Sequence, residues 1–230
     1  MEPLPLPVVR VRVDDVETLA VVSTGAELTI LDPSVRAAPG VIDALRLGAI
    51  EVCDVPHTTR SLDPLSEALG ARVGAAIGLD LLLRLQARID GPGGRLTLSA
   101  AAAAPSPDAA RAPFVTPTGS FLAVVARIAG EPAWLTVDTT AIFPLALTAG
   151  ADEALGLDGL AWEPARGPGQ AIAPVAIGAL AIEALPLARG ILDDDHARAV
   201  GAPVAGAIGW GLLAELVTVL DPDARALRFE

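Results

Sequence analysis

Two short loops carry the side chains with most chemistry to offer, Asp138-Thr139-Thr140 and Ser23-Thr24-Gly25, each at the end of an apolar run. Asp138 supplies a carboxylate for acid-base work, whereas a serine hydroxyl can donate a hydrogen bond but cannot serve as an acid of comparable strength. A Ser-His-Asp triad through Ser23 would need His57 or His196, the two histidines of the chain, to converge on it from far away. Asp193, Asp194, Asp195 and His196 could be counted as metal ligands. Three carboxylates just ahead of the HARAV run fit a helix N-terminus better, where they complement the macrodipole. The chain has no lysine, which removes the P-loop lysine, the pyridoxal Schiff base and Ser-Lys catalysis together. GPGG at 91–94 and GPGQ at 167–170 read as turns and not as a dinucleotide fingerprint, so no cofactor and no metal is expected.

The elements that must hold these loops are short strands. Val9, Val11 and Val13 alternate with Arg10 and Arg12, the period of a half-buried strand. At 230 residues, 52% of them hydrophobic and only 3% aromatic, the chain can bury two modest cores built from Ala, Val, Leu and Ile. Asp63 and Pro64 read as the cap and first turn of a helix, and LDLLLRL and WGLLAEL as two further short helices. Trp134 and Trp210 are expected in the second core. Cys53 excludes an internal disulfide and reads as a small buried hydrophobe. A formal charge of −12, with no cluster of arginines to offset it, argues against nucleic acid and anionic membrane as partners. Residues 171–188 are apolar, but Pro174, Gly178, Glu183 and Pro186 interrupt any spanning helix. Met1 to Pro7 lacks the basic and apolar regions of a signal peptide, so the sequence as written is expected in the cytoplasm.

The chain repeats itself. Residues 76–98 align without gaps on residues 207–229 with eight identities in 23 positions, among them Ala76-Ile77-Gly78 on Ala207-Ile208-Gly209 and Asp90 on Asp221. Upstream, LRLGAIEVCDVP (45–56) pairs with VAIGALAIEALP (175–186), and LAVVSTGAELTIL (19–31) with WLTVDTTAIFPLAL (134–147), so that Ser23 stands opposite Asp138. The Ala/Pro/Ser stretch between the copies reads as a linker over 99–117, leaving one lobe at 1–98 and another at 118–230.

This doubled order of apolar strand, D/S-T-x loop, AIG strand, leucine-rich helix and closing hairpin resembles the pepsin and retropepsin group of aspartic proteases, bacterial members especially. The resemblance covers nearly the whole chain outside the linker and implies an all-β, two-lobed pair of acid-protease barrels with a few short helices. In that family each lobe contributes one aspartate. Two adjacent carboxylates cannot both ionise, so one keeps a proton while the other activates water. By that resemblance Asp138 is the remaining catalytic aspartate, Ser23 marks the position of the lost one, and the hydroxyls of Thr24 and Thr139 interlock the loops. Gly25 keeps the family's glycine and Thr140 replaces it. Gly48 follows Gly25 by 23 residues, whereas Gly178 follows Thr140 by 38, so the first lobe is shortened where the family carries a short helix and its flap. Trp162, with Pro164, Gly167 and Gly169, is a candidate for lining the cleft. The expected function is a protease-like protein without activity that holds an extended peptide or protein in the interlobe groove, or serves as a scaffold. The alternatives are an active endopeptidase, in which Asp138 pairs with a second copy or with a carboxylate such as Asp80, and a purely structural or partner-docking protein.

Overall fold

Alternating apolar runs separated by Gly and Pro fold as strands because one face of each must be buried while the turn residues reverse the chain. The computed structural model describes residues 6–100, 106, 109–117, 121–163, 169–192 and 194–230. The first lobe runs β1 (Val8–Val13), β2 (Val16–Val22), β3 (Thr29–Leu31), β4 (Gly40–Leu47), β5 (Ile50–Thr59), α1 (Asp63–Leu69), β6 (Val73–Ile77), α2 (Leu79–Leu82), β7 (Gln86–Asp90) and β8 (Arg95–Ser99). The second runs β9 (Ala110–Val115), β10 (Ala123–Ile128), β11 (Glu131–Asp138), β12 (Leu145–Leu147), α3 (Ala151–Ala154), β13 (Gly169–Ile177), β14 (Leu180–Arg189), α4 (Asp194–Val200), β15 (Gly206–Gly209), α5 (Trp210–Leu213), β16 (Val217–Asp221) and β17 (Ala226–Phe229).

Each lobe is a closed six-stranded barrel, β1-β2-β6-β3-β5-β4 in the first and β10-β11-β15-β12-β14-β13 in the second. Their registers correspond pair by pair. β1 and β2 meet at Val13 opposite Val16, β10 and β11 at Ile128 opposite Glu131. The parallel pair that ends each motif strand sets Val22 beside Ile77 and Val137 beside Ile208. The closing hairpins join in a sheet ordered β8-β7-β16-β17-β9 that bridges the lobes, with β7 antiparallel to β16. The interior is aliphatic, as the composition requires: Leu31, Ile42, Leu45, Ile77, Leu81, Leu135, Leu145 and Leu147 are fully buried, each contributing about 1.5–3 kcal/mol. Among the described residues no helix is long and apolar enough to cross a membrane, and residues 171–188 lie in the β13–β14 hairpin.

Several local features differ from expectation. β9 falls within the stretch read as a linker, because its Ala112 and Phe114 alternate inward beneath an Ala/Pro-rich composition. Asp63 is the first residue of α1, not its cap; Leu62 is the cap, and the Ser61 hydroxyl accepts from the Asp63 amide. Asp193 lies outside the described residues, and α4 begins at Asp194. Cys53 is exposed, on an outward position of β5 opposite Ala44. Trp134 is 40% exposed, since Ala133 and Leu135 take the inward positions of β11, whereas Trp210 is buried. Barrel closure also gathers Arg10, Arg12, Arg46 and Arg72 around one cavity of about 580 Å³, with Arg12 directly opposite Arg46 in the β1–β4 ladder. Arg10 and Arg12 come from β1, Arg46 from β4 and Arg72 from the residue before β6, so most of the patch is brought together by the fold and not by the sequence. Asp15 pairs with Arg12 at 3.3 Å and Glu51 with Arg46, which makes the patch mixed in charge.

Asp32, buried just after β3, ties the short loop of the first lobe to α1. Its carboxylate accepts from the Leu62 amide and the Ser34 amide, both at 3.0 Å, and from the Ser34 hydroxyl. The Leu62 amide above all, then Ser34, holds its carboxyl below the usual range. A carboxyl whose pKa is lowered by folding adds stability above its unfolded value and loses it as pH falls through the folded one. Asp32→Asn is therefore expected to cost about 1–3 kcal/mol at neutral pH. Urea unfolding at a series of pH values should show the gap from the parent closing as acid protonates Asp32.

Candidate functional site

β2 and β11 each run through a barrel and deliver a motif loop to the boundary between the lobes. Ser23 is held there by its amide, which donates to the Ile77 carbonyl at 2.9 Å, and Asp138 lies beside Gly209 in the β11–β15 ladder. The two loops are tied reciprocally. The Thr24 hydroxyl donates to the Val137 carbonyl at 2.7 Å and the Thr139 hydroxyl to the Val22 carbonyl at 2.6 Å. Each hydroxyl oxygen also accepts from the opposite threonine's amide at 3.1 Å. Both threonines are buried, so water cannot replace these bonds without opening the interface.

Ser23, Gly25, Asp138 and Thr140 all line one groove of about 570 Å³. The first lobe supplies most of its wall, with Leu28, Ile30, Leu62 and Leu65 as apolar surface and Glu27 and Arg60 as charges. Asp138 Oδ1 accepts from the Thr140 amide at 2.8 Å and from the Thr140 hydroxyl at 2.6 Å. The Asp138 carboxylate leans directly over Gly25: a Cβ at that position would stand 2.6 Å from its Cγ and 2.7 Å from either oxygen. Glycine is thus needed opposite a carboxylate. In the matching register of the lobes, Ser23 takes the place of Asp138 and Thr140 the place of Gly25.

The remaining candidates lie elsewhere. Trp162 packs beneath the Arg189 guanidinium, 4.5 Å from the ring centre, and donates to the Leu157 carbonyl at 3.3 Å; it is not among the residues that line the groove. Pro164 and Gly167 are outside the described residues. Asp80 accepts from the Thr29 hydroxyl at 3.0 Å and does not line the groove; burial pushes its carboxyl up. His57 pairs with the Ala38 carbonyl and His196 with the Thr136 hydroxyl, and neither lines the groove with Ser23. Glu27 is the groove residue that sequence reasoning missed. Its position four residues after Ser23, on the loop leaving the motif, was the available signal.

Two six-stranded barrels that bring equivalent loops to a common groove define the two-lobed, aspartic-protease-like fold, and this chain has it. Structure comparison finds an aspartic proteinase from Irpex lacteus with a TM-score of 0.60 and 12% identity, covering 96% of this chain and 93% of that one. A retropepsin-like aspartic protease from Rickettsia conorii matches with a TM-score of 0.38 and 17% identity over 53% of this chain and 90% of that one. No family model and no curated protein matches the sequence.

Two outcomes test this geometry. Thr139→Val leaves the Thr24 amide and the Val22 carbonyl unpaired in the interface and should cost about 2–5 kcal/mol in chemical unfolding, whereas Thr139→Ser should retain most of that stability. Ser23→Asp should also destabilise, because a new carboxylate meets the Thr140 side chain. Adding Thr140→Gly should recover part of the loss, with a coupling of about 1–3 kcal/mol in a double-mutant cycle.

Proposed function

We propose that this chain is an aspartic-protease-like protein without peptidase activity that holds an extended peptide or protein segment in the groove beside Asp138. The observation behind it is the composition of the two motif loops at the groove: Asp138 leans over Gly25, while the equivalent positions of the other loop hold Ser23, which has no carboxylate, and Thr140, whose side chain bonds Asp138. Water activation by this fold requires two carboxylates that share a proton, and a serine hydroxyl cannot take the place of either. Losing general acid-base assistance costs on the order of 10² to 10⁴ in rate. Misplaced groups around the site forfeit positioning as well. The groove still offers what an extended chain needs, apolar surface from Leu28, Ile30, Leu62 and Leu65 with Glu27 and Arg60 to fix orientation.

A working peptidase is the second reading, favoured by one feature: Glu27 places a second carboxylate in the lining of the same groove. The two readings separate in a cleavage assay with a mixed peptide library at acidic and neutral pH. Silence of the site means that the parent protein cleaves no faster than Asp138→Ala. Specific cleavage abolished by Asp138→Ala and by Glu27→Gln would establish the second reading instead. Ser23→Asp combined with Thr140→Gly should exceed Ser23→Asp alone in kcat/KM, and both should remain far below an ordinary aspartic protease. Binding is read separately, as retention of library peptides by the parent protein and their loss in Leu28→Asp.

A further inference from the structure

Barrel closure decides where the outward side chains of β1 and β4 end up, and in the first lobe it brings like charges together. Arg10 and Arg12, two residues apart on β1, leave it on the same face. Arg12 stands directly opposite Arg46 of β4. With Arg72 they line the cavity of about 580 Å³, to which Thr18 adds a hydroxyl and Glu17 an acidic group. Like charges set directly opposite in an antiparallel pair destabilise it.

The barrel itself does not call for this arrangement. In the second lobe the register that sets Arg12 against Arg46 sets Arg127 against Ala176, and Trp134 faces Val125 where Leu19 faces Arg10. Arg127 there turns back onto the Gly130 carbonyl at 2.9 Å. Nor does the fold use up the guanidinium groups of the first lobe. The Arg10 side chain makes no hydrogen bond or ion pair with a described residue. Arg72 is 74% exposed, and its ion pair with Asp32 spans 3.9 Å, beyond hydrogen-bond reach. Arg46 meets Glu51 through Nε, which leaves its terminal nitrogens without a partner among the described residues. Arg12 gives Nε to the Asp14 carbonyl and a terminal nitrogen to Asp15, whose carboxylate is fully exposed. Ion pairs as exposed as these are weak and yield to a stronger acceptor.

We infer that this cavity is a binding site for a compact anion with two phosphoryl groups, held by Arg10, Arg12, Arg46 and Arg72. A guanidinium presents its donors as a planar fork that matches phosphate oxygens in pairs. A phosphoryl group offers three acceptor oxygens and close to two negative charges at neutral pH, so two of them answer the converging arginines where two carboxylates would leave half the charge unmet. Bound between Arg12 and Arg46, the anion also relieves their repulsion. The rest of the molecule, with its formal charge of −12, repels a long polyanion that would extend beyond the cavity. The site shares no lining residue with the groove of Asp138 and does not depend on the function proposed for that groove.

The test is calorimetric titration of the full chain with inorganic pyrophosphate at constant ionic strength, which holds general screening fixed. Saturable binding of one anion per chain is expected, and Arg10→Gln and Arg72→Gln should each raise Kd by about tenfold or more. Neither side chain makes a hydrogen bond, so both variants should unfold as cooperatively as the parent. Arg46→Ala, which copies the second lobe, should also bind weakly, yet lose little stability without the anion because its repulsion with Arg12 goes too. Pyrophosphate at about a hundred times Kd should lower the parent's unfolding equilibrium constant about a hundredfold. Arg127→Gln, in the second lobe, should bind as the parent does. A hexose bisphosphate titrated alongside identifies the carrier: tighter binding than pyrophosphate assigns the phosphoryl groups to an organic ligand, weaker binding to the free anion. The inference is overturned if pyrophosphate shows no saturable binding up to about 10 mM, if succinate binds as tightly, or if Arg127→Gln weakens binding as much as Arg10→Gln.

Discussion

The reciprocal bonds of Thr24 and Thr139 are the constraint on which the rest of this structure depends. Each threonine gives its hydroxyl proton to the carbonyl that ends the opposite motif strand and takes a bond from the opposite amide. Four backbone polar groups at the ends of β2 and β11 are satisfied in this way, at a depth where water has no access. A buried group left unpaired costs about 1–3 kcal/mol, so the loops can separate only at a cost comparable to a large part of a small domain's stability. Everything placed by those loops, including the groove between them, inherits that fixity.

A second constraint acts within the first. With the loops locked, the Asp138 carboxylate leans over Gly25. The equivalent positions of the other loop hold Ser23 and Thr140. The Thr140 hydroxyl and amide both bond Asp138, so the carboxylate is fixed by its own loop while it faces the glycine of the other.

Much of the fold was legible because the chain is written twice. Alternation identified β1, the gapless match of 76–98 with 207–229 identified the AIG strands, short helices and closing hairpins, and the internal alignment set Ser23 opposite Asp138. What escaped notice depended on tertiary context. The inward pattern of β9 was hidden by alanine and proline, which are common in linkers. Trp134 and Cys53 looked internal by residue type, but a strand's period decides which face a side chain takes. Arg10, Arg12, Arg46 and Arg72 converge only when the barrel closes. Glu27 gained meaning only once the groove had walls.

The places where the lobes fail to match bear on function more directly than the places where they agree. Eight residues separate β3 from β4, whereas 21 separate β12 from β13, so the first lobe lacks most of the segment that its twin carries at that point. Among the described residues no strand covers the first lobe where β9 covers the second. The first lobe supplies most of the groove wall beside Asp138. An enzyme that must exclude water from a reacting bond gains from added cover. A protein that only has to accept extended chain has no such need, since an open groove can be entered without displacing part of the fold. The shorter connection of the first lobe and the single carboxylate of the two motif loops are the two observations on which the proposed reading of the groove rests.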